Sequence, residues 1–211
     1  MKSGHALSAL TARKTFLALV FTALFGFANQ VSSQGLIKVI VEQNLYNNLT
    51  SQVTEYLNDL AIAGFTTSLS TGTWENPADV RALLQAEQEN GLVGGVLIGE
   101  VPLAKFNLTG DLGDLENHDF NTVLYYMDID GTWGGEQNGV FTSHFGNYQA
   151  DIWIGVIRAE NLAAKGNSVT LIGNYLSRVH SYRNGGGFRP PHRAFNFYHE
   201  RLPNYTEVRD I

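Results

Sequence analysis

From Leu36 onward, short β-branched runs alternate with longer stretches whose apolar residues return every three or four positions, the pattern of strands interleaved with helices. Leu36-Ile37-Lys38-Val39-Ile40-Val41, bounded by Gly35 and Asn44, predicts a central strand. Leu45, Leu49, Val53, Tyr56, Leu57 and Leu60 then share one helical face, with Gly64 as the stop. Phe65, Thr67 and Leu69 alternate with Thr66, Ser68 and Ser70 and predict a second strand. Asn76-Pro77 predicts a helix start with a capping side chain and a proline in the first turn, and Val80, Leu83 and Leu84 form its buried stripe up to Gly91. Leu92 to Ile98 is apolar throughout and too short for a helix, which predicts a strand buried on both faces.

Farther on, residues 103–119 and 131–149 lack periodicity and read as two long loops, while Val123 to Met127 and Ile152 to Ile157 read as fourth and fifth strands. Val169, Ile172, Tyr175, Leu176 and Val179 predict a last helix. The fold class expected is α/β: a doubly wound, mainly parallel sheet of about five strands with flanking helices and right-handed crossovers. Gly185-Gly186-Gly187 and Pro190-Pro191 interrupt regular structure, and His192 to His199 reads as the first strand of a further unit. The expected domains are therefore a leader over 1–33, an α/β lobe over 34–184, and a linker with the start of a truncated second lobe over 185–211.

The leader changes the picture of location. Arg13-Lys14 is followed by fourteen residues, Thr15 to Ala28, with an apolar core, and small residues precede cleavage points after Ala28 and after Ser33. A spanning helix needs about 20 apolar residues, so an export signal is expected and no stable membrane span after its cleavage. The mature chain is then secreted, periplasmic or at the cell surface. All twenty acidic residues lie beyond the leader against eleven of the fourteen basic ones, so the net charge moves from −6 to −9 and nucleic acid is excluded as a partner. There is no cysteine, which removes disulfides, thiolate nucleophiles and zinc–thiolate sites from these residues.

Candidate chemistry is concentrated at Asp128-Ile129-Asp130-Gly131. Two carboxylates at a strand end before a sharp turn suit a hard cation such as calcium, with Glu136 as third donor; the competing reading is an Asp-Gly turn capping its own backbone. Gly94, Gly95 and Gly99 do not form a dinucleotide fingerprint, and no lysine-bearing phosphate loop occurs. His118, His144, His180, His192 and His199 lack ligand spacing, and no G-x-S-x-G elbow exists for serine hydrolysis. Tyr125, Tyr126, Trp133, Phe141, Phe145, Tyr148 and Trp153 offer either an aromatic platform or core packing, with packing the commoner outcome.

Four segments in order, Val96-Leu97-Ile98-Gly99-Glu100-Val101-Pro102, Leu124-Tyr125-Tyr126-Met127-Asp128, Asp151-Ile152-Trp153-Ile154-Gly155 and His192-Arg193-Ala194-Phe195, resemble the gingipain-type secreted cysteine peptidases over roughly residues 36–198. The resemblance implies a caspase-like, flavodoxin-like first lobe that supports a C-terminal catalytic lobe and borders a cleft for a protein or peptide substrate. It also implies that the family's histidine and cysteine belong to that second lobe, so no residue of this chain is assigned a catalytic role. Two departures stand out: Gly155 is separated from Arg158 by Val156 and Ile157, and His199-Glu200-Arg201-Leu202-Pro203 replaces an acidic cluster followed by tryptophan. The alternative function is a secreted binding or scaffold module that uses the two long loops, with calcium as its ion.

Overall fold

The computed structural model describes residues 33–109, 117–147 and 149–186. Four strands, β1 (Leu36–Glu42), β2 (Thr66–Gly72), β3 (Leu92–Ile98) and β9 (Trp153–Ile157), form a parallel sheet in the order β2-β1-β3-β9. Helix α1 (Gln43–Ile62) links β1 to β2, and α2 (Pro77–Gln85) with a short 3-10 turn, Gln88–Asn90, links β2 to β3. Between β3 and β9 lie three small elements: an antiparallel hairpin of β4 (Lys105–Thr109) and β5 (Asn117–Asn121), a one-turn helix α3 (Leu124–Met127), and the short strands β6 (Thr132–Gly134), β7 (Val140–Phe141) and β8 (Ser143–Phe145). Helix α4 (Ser168–Arg183) closes the described chain.

Side chains alternate across the central strands and so build two apolar layers. Ile37, Val39 and Val41 of β1 and Val96 and Ile98 of β3 pack under Leu45, Leu49 and Val53 of α1 and Ile172 and Leu176 of α4. Ile40 and Leu97 face the other way, against Val80 and Leu84 of α2 and against Tyr125, Tyr126, Ile129 and Phe141. Truncating one of these fully buried side chains, Leu97 for example, removes roughly 2–5 kcal/mol of stability. Glycine lets two elements approach closely: a Cβ on Gly94 would lie 2.1 Å from the Trp153 ring, and one on Gly173 would press on Leu49 at 3.0 Å, where α4 crosses α1.

Several expectations from the sequence are corrected. Val123 to Met127 is not a strand: the N–H groups of Tyr126 and Met127 bond back to the Val123 carbonyl, and that of Asp128 to Leu124, winding the run into α3. A five-residue apolar run has no period that separates strand from helix, and ring packing decides here, with Tyr125 stacked on Phe141 at 4.5 Å. Among the described residues the central sheet accordingly has four strands. The two long loops carry β4, β5, β6, β7 and β8, whose pairings hold only two to five residues each and leave little alternation to read. Asn76 occupies the N-cap of α2, but its side chain makes no capping bond; Pro77 provides the start.

Lys38 sits inside β1 and is satisfied by Glu87 at 2.8 Å and Ser68 at 2.9 Å. Hydrogen bonds from Lys38, Ser68 and Asn90 hold the Glu87 carboxyl down at about 2. Asp59 of α1, buried, meets His180 Nδ1 of α4 at 3.0 Å and ties those two helices together. Among the described residues no helix is long and apolar enough to cross a membrane. The expected strand over His192 to His199, and nearly all of the leader and of the 185–211 segment, lie outside the described residues.

Candidate functional site

The carboxylate turn at the end of α3 is the most elaborate polar assembly in the described chain. Asp128 is fully buried. Its Oδ1 accepts the Gly131 N–H at 3.0 Å, and its Oδ2 accepts the Trp133 indole N–H at 3.1 Å and lies 2.5 Å from His144 Nε2. Only glycine fits at 131, since a Cβ there would sit 1.9 Å from Asp128 Oδ2. The backbone of the same turn is held from α2: Arg81 Nη2 donates to the carbonyls of Asp128, Ile129 and Gly131 at 2.6, 3.1 and 2.8 Å, and Gln85 Nε2 donates to Ile129 at 3.0 Å. The guanidinium of Arg81 also lies over the Tyr125 ring, 4.9 Å from its centroid. Asp151, just before β9, accepts the Ile129 N–H at 2.8 Å, while the N–H groups of Asp151 and Ile152 both bond to the Met127 carbonyl.

Of the three cation ligands expected from sequence, the structure brings two together. Asp128 and Asp130 group with Asp151, their oxygens within 4.8 Å of one another, whereas Glu136 lies elsewhere and accepts the Gly139 N–H at 2.6 Å. Both oxygens of Asp128 already receive N–H donors, which suits the backbone-capping reading of the Asp-Gly turn. Arg81 and Gln85 carry no signal in the sequence, and Asp151 stands out there only as the start of a resemblance segment, not as a partner of Asp128 and Asp130. Arg81 and Gln85 stand four apart on one face of α2, but nothing in a single sequence says that this face meets three carbonyls.

The aromatic residues divide. Tyr125, Trp133, Phe106 and Phe141 interlock edge to face or stacked, with centroids 4.5–5.9 Å apart, and build core rather than a platform. Burial pushes the phenols of Tyr125 and Tyr126 above their usual range, and Tyr126 donates its hydroxyl to the Pro102 carbonyl at 2.5 Å. Phe145 and Trp153 are exposed, and Tyr148 lies outside the described residues. Among the histidines, His144 joins Asp128, His180 joins Asp59, and His118 lies on exposed β5; His5, His192 and His199 lie outside the described residues.

In open α/β sheets a ligand crevice forms where the strand order reverses, here between the carboxyl ends of β1 and β3. A 220 Å³ crevice does occur there, lined by Glu42, Asn44, Gly99, Glu100 and Ser168. Its anion position is filled from within: the two Glu42 carboxylate oxygens accept the Asn44 and Leu45 N–H groups at the start of α1, both at 2.9 Å. A phosphate on that helix end would have to displace Glu42 and then face its charge and that of Glu100. Compared with protein-family models, with curated proteins and with solved structures, the chain matches none of them.

Proposed function

We propose that residues 34–184 form the non-catalytic first lobe of an exported cysteine peptidase of the gingipain type, a caspase-like module whose histidine and cysteine reside on a second, C-terminal lobe. The observation that carries this reading is that three of its resemblance segments converge: Leu124 to Asp128 is hydrogen-bonded to Asp151 and Ile152, and Asp151 to Gly155 runs into β9, paired with β3 over Gly94 to Ile98. Segments scattered over sixty residues thus act as one structural unit, in which Arg81 and Asp128 fix the turn and Asp151 fixes the entry to β9. In this reading the lobe's work is mechanical: it braces the second lobe and borders the cleft for a protein or peptide substrate, outside the cytoplasm.

Amide hydrolysis by this route needs a thiolate, a histidine that holds it ionised and donors for the oxyanion, and this chain supplies no thiol. The purified chain is therefore expected to leave peptide substrates intact, with or without a reducing agent, in a fluorogenic peptide-library assay. Cleavage that copurifies with the chain through successive columns would overturn the reading.

A further inference from the structure

The two edges of the central sheet differ in kind. The outer strand β2 reads Thr-Thr-Ser-Leu-Ser-Thr-Gly and is blunted by hydroxyls, whereas β9 at the other edge reads Trp-Ile-Gly-Val-Ile, with no charge, proline or bulge. An apolar edge of this kind demands a partner. The Ile157 carbonyl accepts the Gly99 N–H from the β3 side, so by alternation the backbones of Ile154 and Val156 point outward, and no strand pairs with them among the described residues. Exposed Trp153, Val156, Leu162 and Tyr175, the last three lining a 360 Å³ groove against α4, flank that edge.

A parallel strand supplied from beyond α4 fits this edge poorly. The step from β1 to β2 runs one way across the sheet through α1, and the steps to β3 and then β9 run the other way through elements on the opposite face, so all three share one hand. Helix α4 lies on the α1 face. A parallel strand following α4 and lying outside β9 would reverse the hand, an arrangement found in only about 2% of such connections.

We infer that the β9 edge pairs with the β9 edge of a second copy of this chain, antiparallel about a two-fold axis at Gly155. The register is self-consistent. Outward-facing Ile154 and Val156 meet Val156 and Ile154 of the second copy and exchange four backbone hydrogen bonds, while Gly155 meets its own equivalent at the non-hydrogen-bonded position, where strands approach most closely. The next outward N–H, that of Ile152, is already bonded to Met127, which confines the pairing to those residues. Trp153 then lies across from Ile157, an aromatic and β-branched pair on one face. In the antiparallel sense Asp151, which precedes β9, comes beside the Arg158 of the second copy, whose guanidinium forms an ion pair with its own Glu160 at 2.6 Å. This inference is independent of the proposed peptidase role.

Because the chain has no cysteine, a single introduced thiol reports the pairing without ambiguity. A Cβ on Gly155 meets nothing nearer than 3.9 Å within its own chain, so Gly155→Cys is tolerated in the fold. In the full chain under mild oxidation, Gly155→Cys is expected to form disulfide-linked dimers about tenfold faster or more than a Thr67→Cys control on the β2 edge. Sedimentation equilibrium is expected to give twice the 23.2 kDa chain mass, and Val156→Lys is expected to return it to the monomer. A monomer whose Gly155→Cys links no faster than the control would overturn the inference, as it would if residues 187–211 or another protein covered the edge. A dimer that persists in Val156→Lys and does not link through Gly155→Cys would place the interface elsewhere and overturn it equally.

Discussion

Asp128 shows how one buried carboxylate organises its neighbourhood: it closes a glycine turn, holds an indole and meets an imidazole. Asp128→Ala strands these donors in a dry site and is expected to lower stability by about 3 kcal/mol in chemical denaturation, with Trp133 fluorescence following the loss. Its oxygens are committed, so millimolar calcium is expected to leave the melting temperature unchanged; a rise in the wild type that disappears in Asp130→Asn would restore the cation reading. The Asp-Gly turn was legible from sequence because both residue types have strong turn chemistry. Its partners were not, since Arg81 and His144 reach it from 47 and 16 residues away. Glu87 carries a pH prediction. Its folded value of about 2 lies below the ordinary glutamate value of 4.5, so the stability it contributes is complete above 4.5 and is lost as pH falls toward 2. The stability gap between wild type and Glu87→Gln is expected to be widest near neutrality and to close between pH 4.5 and 2, read by urea denaturation across that range.

At the scale of elements, the long periodic segments were readable and the short ones were not. Helices α1 and α4 announce themselves through Leu45, Leu49 and Val53 and through Ile172 and Leu176, which repeat over several turns and bury against one layer. Val123 to Met127 offers no such repetition, and its helical turn is settled by Tyr125 on Phe141 and Tyr126 on Pro102, contacts that exist only once the chain is folded. The hairpin of β4 and β5 is hard to read from sequence because β4 alternates over five residues only, and β5 sets the polar His118 on the same side of its alternation as Phe120. Helices α1 and α4 are coupled at Asp59 and His180, far from any apolar pattern. A double-mutant cycle with Asp59→Ala and His180→Ala is expected to give a coupling of about 1 kcal/mol at neutral pH, and an additive result would remove that clamp from the account.

For the whole molecule, a parallel sheet follows from alternating strand and helix signals with right-handed crossovers, whereas its order β2-β1-β3-β9 and its strand count were not legible. The helix end at the strand-order reversal is capped by Glu42, which leaves no free N–H pair there for a phosphate. The proposed bracing role has meaning only beside a second lobe. The most direct measurement is the DNA sequence downstream of the Ile211 codon, read from independent clones. The account predicts a further α/β unit there, with His-Gly and a cysteine at successive strand ends; a stop followed by unrelated or non-coding sequence in every clone would contradict it.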